Sequence, residues 1–289
     1  MTDTALSVFA PAKINLTLHI VGKRADGYHL LDSLVVFAGA GDWISARRAK
    51  DITLEITGPF AKELAGDGEN LVTRAAHYLA AATGRTEGAR ITLEKNLPIA
   101  SGIGGGSSDA AATLIALSQL WDENLAQLAD ADLAENLGAD VPVGLRRAPT
   151  FMRGIGEVLT AAPAMPPAWL VLVNPGKPLS TKDVFGALNK RFTAPVPAEV
   201  FDGLTSAQGL ARALKLARND LMVPAGELMP EIAQMLGALE ETSGCLLARM
   251  SGSGPTCFGV YEDSAAAGAA AEAVRAARPG WWVAPAPLI

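Results

Sequence analysis

A run of glycines followed by two serines is the part of this sequence best suited to chemistry. Gly102 and the glycines at 104–106 lie within five positions, and serines follow at 107 and 108. Glycine permits positive φ and lets another group approach the backbone closely. The first N–H groups of a helix lack intrahelical partners, and a helix N-terminus carries partial positive charge. Ahead of a helix, this run therefore predicts a phosphate-binding turn.

A tight strand-to-helix turn, with Ser108 as the N-cap, is the alternative interpretation of the same run. One turn seldom needs four glycines in five positions, which favours phosphate binding. The run is not a Walker A loop, because no lysine follows the last glycine. It is not a dinucleotide-binding fingerprint either, because Ser107 stands where the third glycine belongs.

The segments on both sides place the glycine run between a strand and a helix. Residues 90–95 alternate apolar and polar, which predicts a short strand. Beyond the run, a helix is predicted to begin near Ser107 or Ser108. We expect Asp109, in its first turn, to face solvent and complement the helix dipole; a water-mediated contact with a metal ion is the alternative. The apolar positions behind these predictions are Ile91 and Leu93 in the strand, and Ala110, Leu114, Leu117 and Trp121 in the helix.

Lys13 is the first candidate for a cation aimed at a phosphate. It lies in residues 11–20, which alternate cleanly and predict one strand with an apolar face and a polar face. A turn at Asp26 and Gly27 and a second apolar run at 30–37 complete a hairpin. The alternative is a solvated lysine on an exposed strand face. The polar face consists of Lys13, Asn15, Thr17 and His19.

Asp140 is the candidate carboxylate. It lies in Gly-Ala-Asp-Val-Pro at 138–142, after a predicted helix over 125–137 that Gly138 closes. Taken alone, an aspartate before a proline-containing turn is most often a cap or turn former. With three histidines in the chain, we find no metal cluster and no Ser-His-Asp arrangement.

Composition limits the class of protein. The 289 residues allow two domains, and 49% hydrophobic with 19% charged residues is typical of an ordinary soluble protein. A net charge of −6 argues against a general nucleic-acid surface. Cys245 and Cys257 have no metal-ligand spacing and no disulfide framework, which favours the cytoplasm. The longest membrane candidate, residues 161–173, is interrupted by prolines, so no membrane span is expected.

The remaining elements follow from apolar periodicity and breakers. A proline-rich piece at 163–167 predicts the domain boundary. The predicted strands lie at 43–46, 52–56, 169–173, 245–250 and 256–261, and the predicted helices at 70–82 (N-cap Asn70), 108–120, 197–205, 208–217, 227–239 and 265–277.

Three motifs carry a resemblance to the GHMP kinases. They are Pro98 to Ala111 around the glycine run, Gly-Ala-Asp-Val-Pro at 138–142, and Ser-Gly-Ser-Gly-Pro at 251–255. The opening Pro-Ala-Lys-Ile-Asn-Leu at 11–16, followed by Gly27-Tyr28-His29, resembles the diphosphocytidyl-methylerythritol kinase family in particular. Arginines at 146, 147 and 153 depart from the family pattern.

The resemblance implies an α+β fold with two domains. Residues 1–160 would form a ribosomal protein S5 domain 2-like domain with the ATP phosphate loop, and residues 161–289 a ferredoxin-like domain, with ATP and substrate in the cleft between them. The implied reaction transfers the γ-phosphoryl of ATP, with Mg²⁺, to the 2-hydroxyl of 4-diphosphocytidyl-2-C-methyl-D-erythritol. The sequence does not name the metal ligands, and it leaves monomer and homodimer open.

The resemblance also implies roles for individual residues. Lys13 and Asp140 would be catalytic, with Asp140 also touching substrate. ATP would be bound by Asn70, Lys95, Pro98, Ser101, Gly102, Ile103, Gly104, Gly105, Gly106, Ser107 and Ser108. Substrate would be bound by Asn15, Tyr28, His29, Thr181 and Phe185, with Tyr28 and Phe185 stacking on the cytosine.

Two alternatives remain open at this point. A kinase of another GHMP class, acting on homoserine or mevalonate, is disfavoured by Gly27-Tyr28-His29. A non-catalytic nucleotide-binding module is disfavoured because both Lys13 and Asp140 are present.

Overall fold

The computed structural model describes residues 5–64, 70–188 and 192–289. Its contacts divide the chain into two units that are each discontinuous in sequence. The first comprises residues 1–12, 41–99 and 104–147; the second comprises residues 13–40, 100–103 and 148–289. Strands β1 (Leu6–Asn15) and β3 (His29–Ala49) run through both units.

The first unit packs helices on one face of a small sheet. The second half of β3 pairs antiparallel with β5 (Gly88–Glu94). Strand β5 in turn pairs in parallel with β4 (Thr53–Thr57). Ile91 and Leu93 lie on β5 as predicted, and they are buried together with Leu114, Leu117 and Trp121 of α2 (Gly105–Trp121). The elements of this unit are β4 (Thr53–Thr57), α1 (Leu71–Thr83), β5 (Gly88–Glu94), α2 (Gly105–Trp121), α3 (Asp130–Leu137) and α4 (Asp140–Arg146).

The second unit contains a hairpin and a four-stranded antiparallel sheet. The hairpin pairs β2 (His19–Lys23) with the first half of β3, with His19 opposite Asp32 and Lys23 opposite His29. The four-stranded sheet has the order β11-β8-β10-β9. The remaining elements are β6 (Thr150–Gly154), β7 (Val158–Ala161), β8 (Trp169–Asn174), α5 (Thr181–Gly186), α6 (Ala207–Lys215), α7 (Met222–Leu228), α8 (Glu231–Glu240), β9 (Leu247–Met250), β10 (Cys257–Tyr261), α9 (Ser264–Ala277) and β11 (Trp282–Pro287).

The single strand predicted over residues 11–20 is wrong. The chain leaves β1 after Asn15, where the Leu16 N–H donates to the Leu34 carbonyl and the Leu18 N–H to the Arg218 carbonyl. Its polar positions are also buried rather than exposed, and Asn15, Thr17 and His19 each make at least one side-chain hydrogen bond within the protein. Thr17, for example, accepts the Leu34 N–H at 2.9 Å.

Three predicted helices are shorter than expected. The helix over 125–137 is a 3₁₀ turn at Leu125–Gln127 followed by α3, and that over 227–239 is divided at Pro230 into α7 and α8. The segment 197–205 holds only a 3₁₀ turn, Ala198–Phe201. Proline lacks the N–H that a continuous helix needs, which explains the division at Pro230. No helix within the described ranges is both long enough and apolar enough to cross a membrane.

Candidate functional site: a glycine turn and its neighbours

The N-terminus of α2 has no side-chain cap. Its N-cap is Gly104, in the left-handed region with φ 62°, and no side chain caps it. The first intrahelical hydrogen bond runs from the Ser108 N–H to the Gly104 carbonyl at 2.9 Å. The N–H groups at 105–107 therefore precede the helical ladder. Ser108 is buried in the helix rather than capping it, so the N-cap alternative is wrong.

Gly106 leaves open space in this turn. A Cβ built on Gly106 would meet no heavy atom within 4 Å apart from the neighbouring backbone of its own helix. Alanine would fit the fold there, so the fold itself does not require glycine. An uncapped helix N-terminus with open backbone suits a phosphate group.

The residues before the turn are held by the glycine-rich connection between β9 and β10. Gly102 has φ +72°, and a Cβ on it would lie 2.3 Å from the Gly254 carbonyl oxygen. The Thr256 N–H donates to the Ser101 carbonyl at 3.2 Å. Only glycine permits so close an approach of two backbones. The motif at 251–255 thus fixes the start of the turn.

Lys13 and Asn15 lie at the end of β1, beside the residues that begin the turn. The Lys13 N–H donates to the Ile103 carbonyl at 2.9 Å, and the Lys13 side chain is buried. Asn15 donates from Nδ2 to Ser33 Oγ at 2.8 Å, and its own N–H donates to Ser251 Oγ. Its buried Oδ1 has no hydrogen-bond partner among the described residues. A buried acceptor without a partner is costly, so it indicates a place for a donor.

Asp140 is the first residue of α4 rather than part of an irregular turn. Helix α4 packs closely on the first turns of α2. A Cβ on Gly144 would lie 3.0 Å from the Ala111 Cβ and 3.6 Å from the Ser107 carbonyl oxygen. Gly144 therefore sets the approach of the helix that carries Asp140. Sequence reasoning missed Gly144, because a lone glycine in a short apolar segment gives no distinctive pattern.

Two of the three aromatic residues expected to bind a base, His29 and Phe185, contact each other. His29 and Phe185 are stacked with centroids 5.2 Å apart and planes at 28°. Tyr28 is 62% exposed. Burial, with a smaller effect from Lys23, lowers the pKa of His29 and favours the neutral imidazole. Thr181, the first residue of α5, forms a 2.8 Å hydrogen bond with Ser253 Oγ.

Asn70 and Pro98 have structural positions of their own. Asn70 caps α1, as predicted, by accepting the Val72 N–H at 2.8 Å. Pro98 is buried. The three arginines that depart from the family pattern make contacts inside the protein. Arg146 forms a salt bridge with Asp130, and Arg153 forms one with Asp32. Arg147 donates to the Phe9 carbonyl.

Lys95 and two aspartates form a buried charge cluster below the turn. Lys95 Nζ donates to Asp42 Oδ2 at 2.6 Å and to Asp109 Oδ2 at 2.7 Å. All three side chains are buried, so the expectation that Asp109 faces solvent is wrong. Burial disfavours the Lys95 ammonium, but Asp109 and Asp42 outweigh it and raise its pKa. Sequence reasoning missed Asp42, which lies far from the glycine run in the chain.

Family models match both halves of the chain. The model described as GHMP kinases N terminal domain matches residues 70–150, and GHMP kinases C terminal matches residues 201–280. The chain belongs to the GHMP kinases, and its α+β fold is the one expected from the sequence.

The chain is also similar to individual kinases over most of its length. It is 54% identical over 288 residues to the 4-diphosphocytidyl-2-C-methyl-D-erythritol kinase of Paramagnetospirillum magneticum, covering 99% of each chain. The protein of that name from Rhodospirillum rubrum is 50% identical over 273 residues, covering 94% of this chain and 89% of the relative. A crystal structure of 4-(cytidine 5'-diphospho)-2C-methyl-D-erythritol kinase matches with TM-score 0.80 at 35% identity, covering 98% of this chain and 99% of that one. Homoserine kinase from Cytophaga hutchinsonii, at 20% identity and TM-score 0.70, covering 100% of this chain and 96% of its own, shares the fold.

Proposed function

We propose that this chain transfers the γ-phosphoryl group of ATP to the 2-hydroxyl of 4-diphosphocytidyl-2-C-methyl-D-erythritol, a step of non-mevalonate isoprenoid precursor biosynthesis. The observation that carries the proposal is the full-length similarity to kinases of that name, at 54% identity. The open glycine turn supplies the physical means of binding ATP.

In this proposal the backbone of the turn holds the ATP phosphates. The N–H groups at 105–107 and the open space at Gly106 suit phosphate oxygens. Asn70, Pro98 and the rest of the turn from 101 to 108 complete the proposed ATP site, and Lys95 supports that site through its ion pairs with Asp42 and Asp109. Kinases catalyse phosphoryl transfer mainly by positioning the reacting groups and stabilising their charge. The turn would contribute by holding the ATP phosphates in place.

Lys13 and Asp140 are the proposed catalytic residues. A tertiary alcohol is a poor nucleophile at neutral pH, so it must be placed in line with the phosphoryl group. Asp140 would accept or orient the hydroxyl proton, and Lys13 would neutralise developing charge. The fixed position of Lys13 on β1 and of Asp140 at the start of α4 supports these roles.

The proposed substrate site uses Asn15, Tyr28, His29, Thr181 and Phe185. The Asn15 Oδ1 that lacks a partner suits a substrate hydroxyl as donor. A histidine stacked through its face presents its ring nitrogens at the edge, which suits the polar edge of cytosine. The exposed ring of Tyr28 is able to cover the base, as the proposal requires.

The described residues show no metal site built from protein side chains alone. They contain no group of three or more His, Cys, Asp or Glu side chains arranged to hold an ion, and the Asp109 carboxyl is engaged by Lys95. Magnesium in kinases is commonly held by few protein carboxylates and by substrate phosphates. We therefore propose that Mg²⁺ accompanies ATP, and we assign it no residue.

The domain division and setting belong to the same proposal. Residues 1–160 and 161–289 would be the two domains, and the matches at 70–150 and 201–280 fall on either side of that boundary. The enzyme would act in the cytoplasm as a monomer or homodimer on a small molecule bearing cytidine diphosphate. Both cysteines are free, which is consistent with that setting.

A coupled ADP-release assay tests the proposal. The purified chain is given ATP with the cytidine substrate, homoserine or mevalonate. We expect turnover with the cytidine substrate that is at least roughly 100-fold slower in Asp140→Asn, which controls for contaminating ATPases. Turnover of homoserine or mevalonate alone would overturn the substrate assignment, and ADP release that needs no acceptor would overturn the kinase activity itself.

A further inference from the structure

The cluster of Asp42, Lys95 and Asp109 joins three parts of the first unit. Asp42 lies on β3, Lys95 follows β5, and Asp109 lies in the first turns of α2. A Cβ built on Gly105 would lie 3.1 Å from Lys95 Nζ and 3.8 Å from Asp42 Oδ2. The first residue of α2 therefore rests directly on this ion pair.

The two aspartates are bonded unequally. Asp42 uses both oxygens: Oδ2 accepts from Lys95, and Oδ1 accepts the N–H groups of Asn96 at 2.5 Å and Leu97 at 2.8 Å. Asp109 accepts from Lys95 through Oδ2, and its buried Oδ1 has no hydrogen-bond partner among the described residues. Three donors favour a charged carboxylate at Asp42.

One ammonium cannot neutralise two buried carboxylates. A second, poorly bonded negative charge in this interior would cost more than a neutral carboxyl, which leaves one polar atom rather than a full charge without a partner. Burial raises the pKa of Asp109, although Lys95 opposes the shift. The raised pKa also favours a neutral Asp109 carboxyl.

We propose that Asp42 and Lys95 are positioning residues that fix the N-terminal turn of α2 for ATP, and that Asp109 meets them as a neutral acceptor rather than a second charge. The inference rests on the proposed function, since it concerns the turn assigned to the ATP phosphates. In this proposal the Lys95 ammonium binds Asp42 and Asp109 inside the protein. ATP would bind the backbone N–H groups of the turn instead of the Lys95 side chain.

Lys95→Met tests the positioning role through two independent readouts. Removing the cation leaves the buried Asp42 carboxylate uncompensated, so we expect Tm to fall by roughly 6–20 °C. Displacement of the turn should weaken ATP binding by roughly 10- to 100-fold, measured by calorimetry well below the variant's Tm. Affinity for the cytidine substrate should stay within about threefold, less than half a decade of affinity. Asp51→Asn, at an exposed aspartate of the same unit, is the control and should change neither readout.

Two results would overturn the positioning role. Weaker ATP binding with an unchanged Tm would mean that Lys95 contacts ATP directly, and unchanged ATP affinity would mean that the cluster is only structural. A wild-type chain that binds ATP but fails to phosphorylate the cytidine substrate would count against the proposed function and leave this comparison of variants intact.

Asp109→Asn tests the neutral state. Asparagine keeps an oxygen for Lys95 and carries no charge, so ATP affinity should stay within about threefold of wild type, which is under half a decade. Asp42→Asn would place an amide against donors and should weaken ATP binding by roughly 10-fold or more. A loss above roughly 10-fold in Asp109→Asn, or equal losses in both variants, would show that Asp109 acts as a charge.

Discussion

The His29 imidazole lies against the Phe185 ring, with centroids 5.2 Å apart and planes at 28°. Insertion of a base between two rings needs about 7 Å, twice the ~3.5 Å contact distance of carbon atoms. A cytosine bound as proposed would therefore stack on the outer face of this pair or separate the two rings. On the outer face of Phe185, or between the rings, the base would have Phe185 as an aromatic surface, and the His29 edge would remain available for hydrogen bonds.

Phe185→Ala should raise KM for the cytidine substrate by roughly 5- to 150-fold, because base–aromatic stacking is worth about 1–3 kcal/mol. KM for ATP should be nearly unchanged. Phe192→Ala removes an exposed phenylalanine from the same unit and is the matched control. An increase in KM for ATP that spared the cytidine substrate would mean that the two ligand sites have been exchanged.

Asp140→Asn should lower kcat by roughly 10²–10⁴-fold, the usual range for a general acid or base, while ATP affinity and Tm are retained. Asp132→Asn, on the exposed surface of α3, should be silent. Steady-state kinetics with calorimetry separate the two effects. A variant within a few-fold of wild type would remove Asp140 from the mechanism.

Lys13→Met should also lower kcat. If Lys13 and Asp140 act as a unit, the double variant should be little worse than the worse single variant. Fully additive losses in single-turnover experiments would mean that the two residues act separately.

Gly106→Ala should weaken ATP binding by roughly 10-fold or more without loss of stability. The added methyl group meets no protein atom within 4 Å apart from the neighbouring backbone of its own helix, so it obstructs only a ligand. Alanine in a helix gains about 0.4–1 kcal/mol over glycine, so Tm should stay level or rise. Gly237→Ala in α8, where a Cβ also meets nothing within 4 Å, should give the stability gain alone. ATP affinity equal to wild type in Gly106→Ala would mean that the turn does not hold phosphate.

Stability should fall as pH decreases below about 6.5, the ordinary pKa of histidine. His19 is buried with Nδ1 3.0 Å from Thr193 Oγ1, and burial lowers its pKa, opposed by Asp220 and Asp32. The unfolded chain then binds a proton that the folded chain does not, so this contribution is complete above the unfolded pKa and decreases with acidity, by at most about 1.4 kcal/mol per pH unit.

His19→Gln should flatten the dependence of Tm on pH between 7 and 5. His77→Gln, at an exposed histidine of α1, should keep the wild-type slope. An unchanged slope in His19→Gln would assign the acid sensitivity to other groups.

The sequence predicted what local patterns encode. The Asn70 cap, the hairpin around Asp26 and Gly27, and the strand before the glycine run all follow from periodicity and turn chemistry, and the structure confirms them. The burial of Lys13, His19 and Asp109 did not follow, because each is covered by residues distant in the chain. Asp42 and Gly144 were missed for the same reason: only tertiary packing brings them to the glycine turn. The assigned roles in catalysis and binding stay predictions.

The most direct test of the account is the identity of the phosphorylated product. The chain is incubated with ATP and 4-diphosphocytidyl-2-C-methyl-D-erythritol, and the product is examined by ³¹P and ¹³C NMR. The account predicts stoichiometric ADP and one new monophosphate resonance, coupled to the tertiary carbon that bears the 2-hydroxyl, with both formed at least roughly 100-fold more slowly by Asp140→Asn. A phosphate on another hydroxyl, or inorganic phosphate with unaltered cytidine substrate, would contradict it.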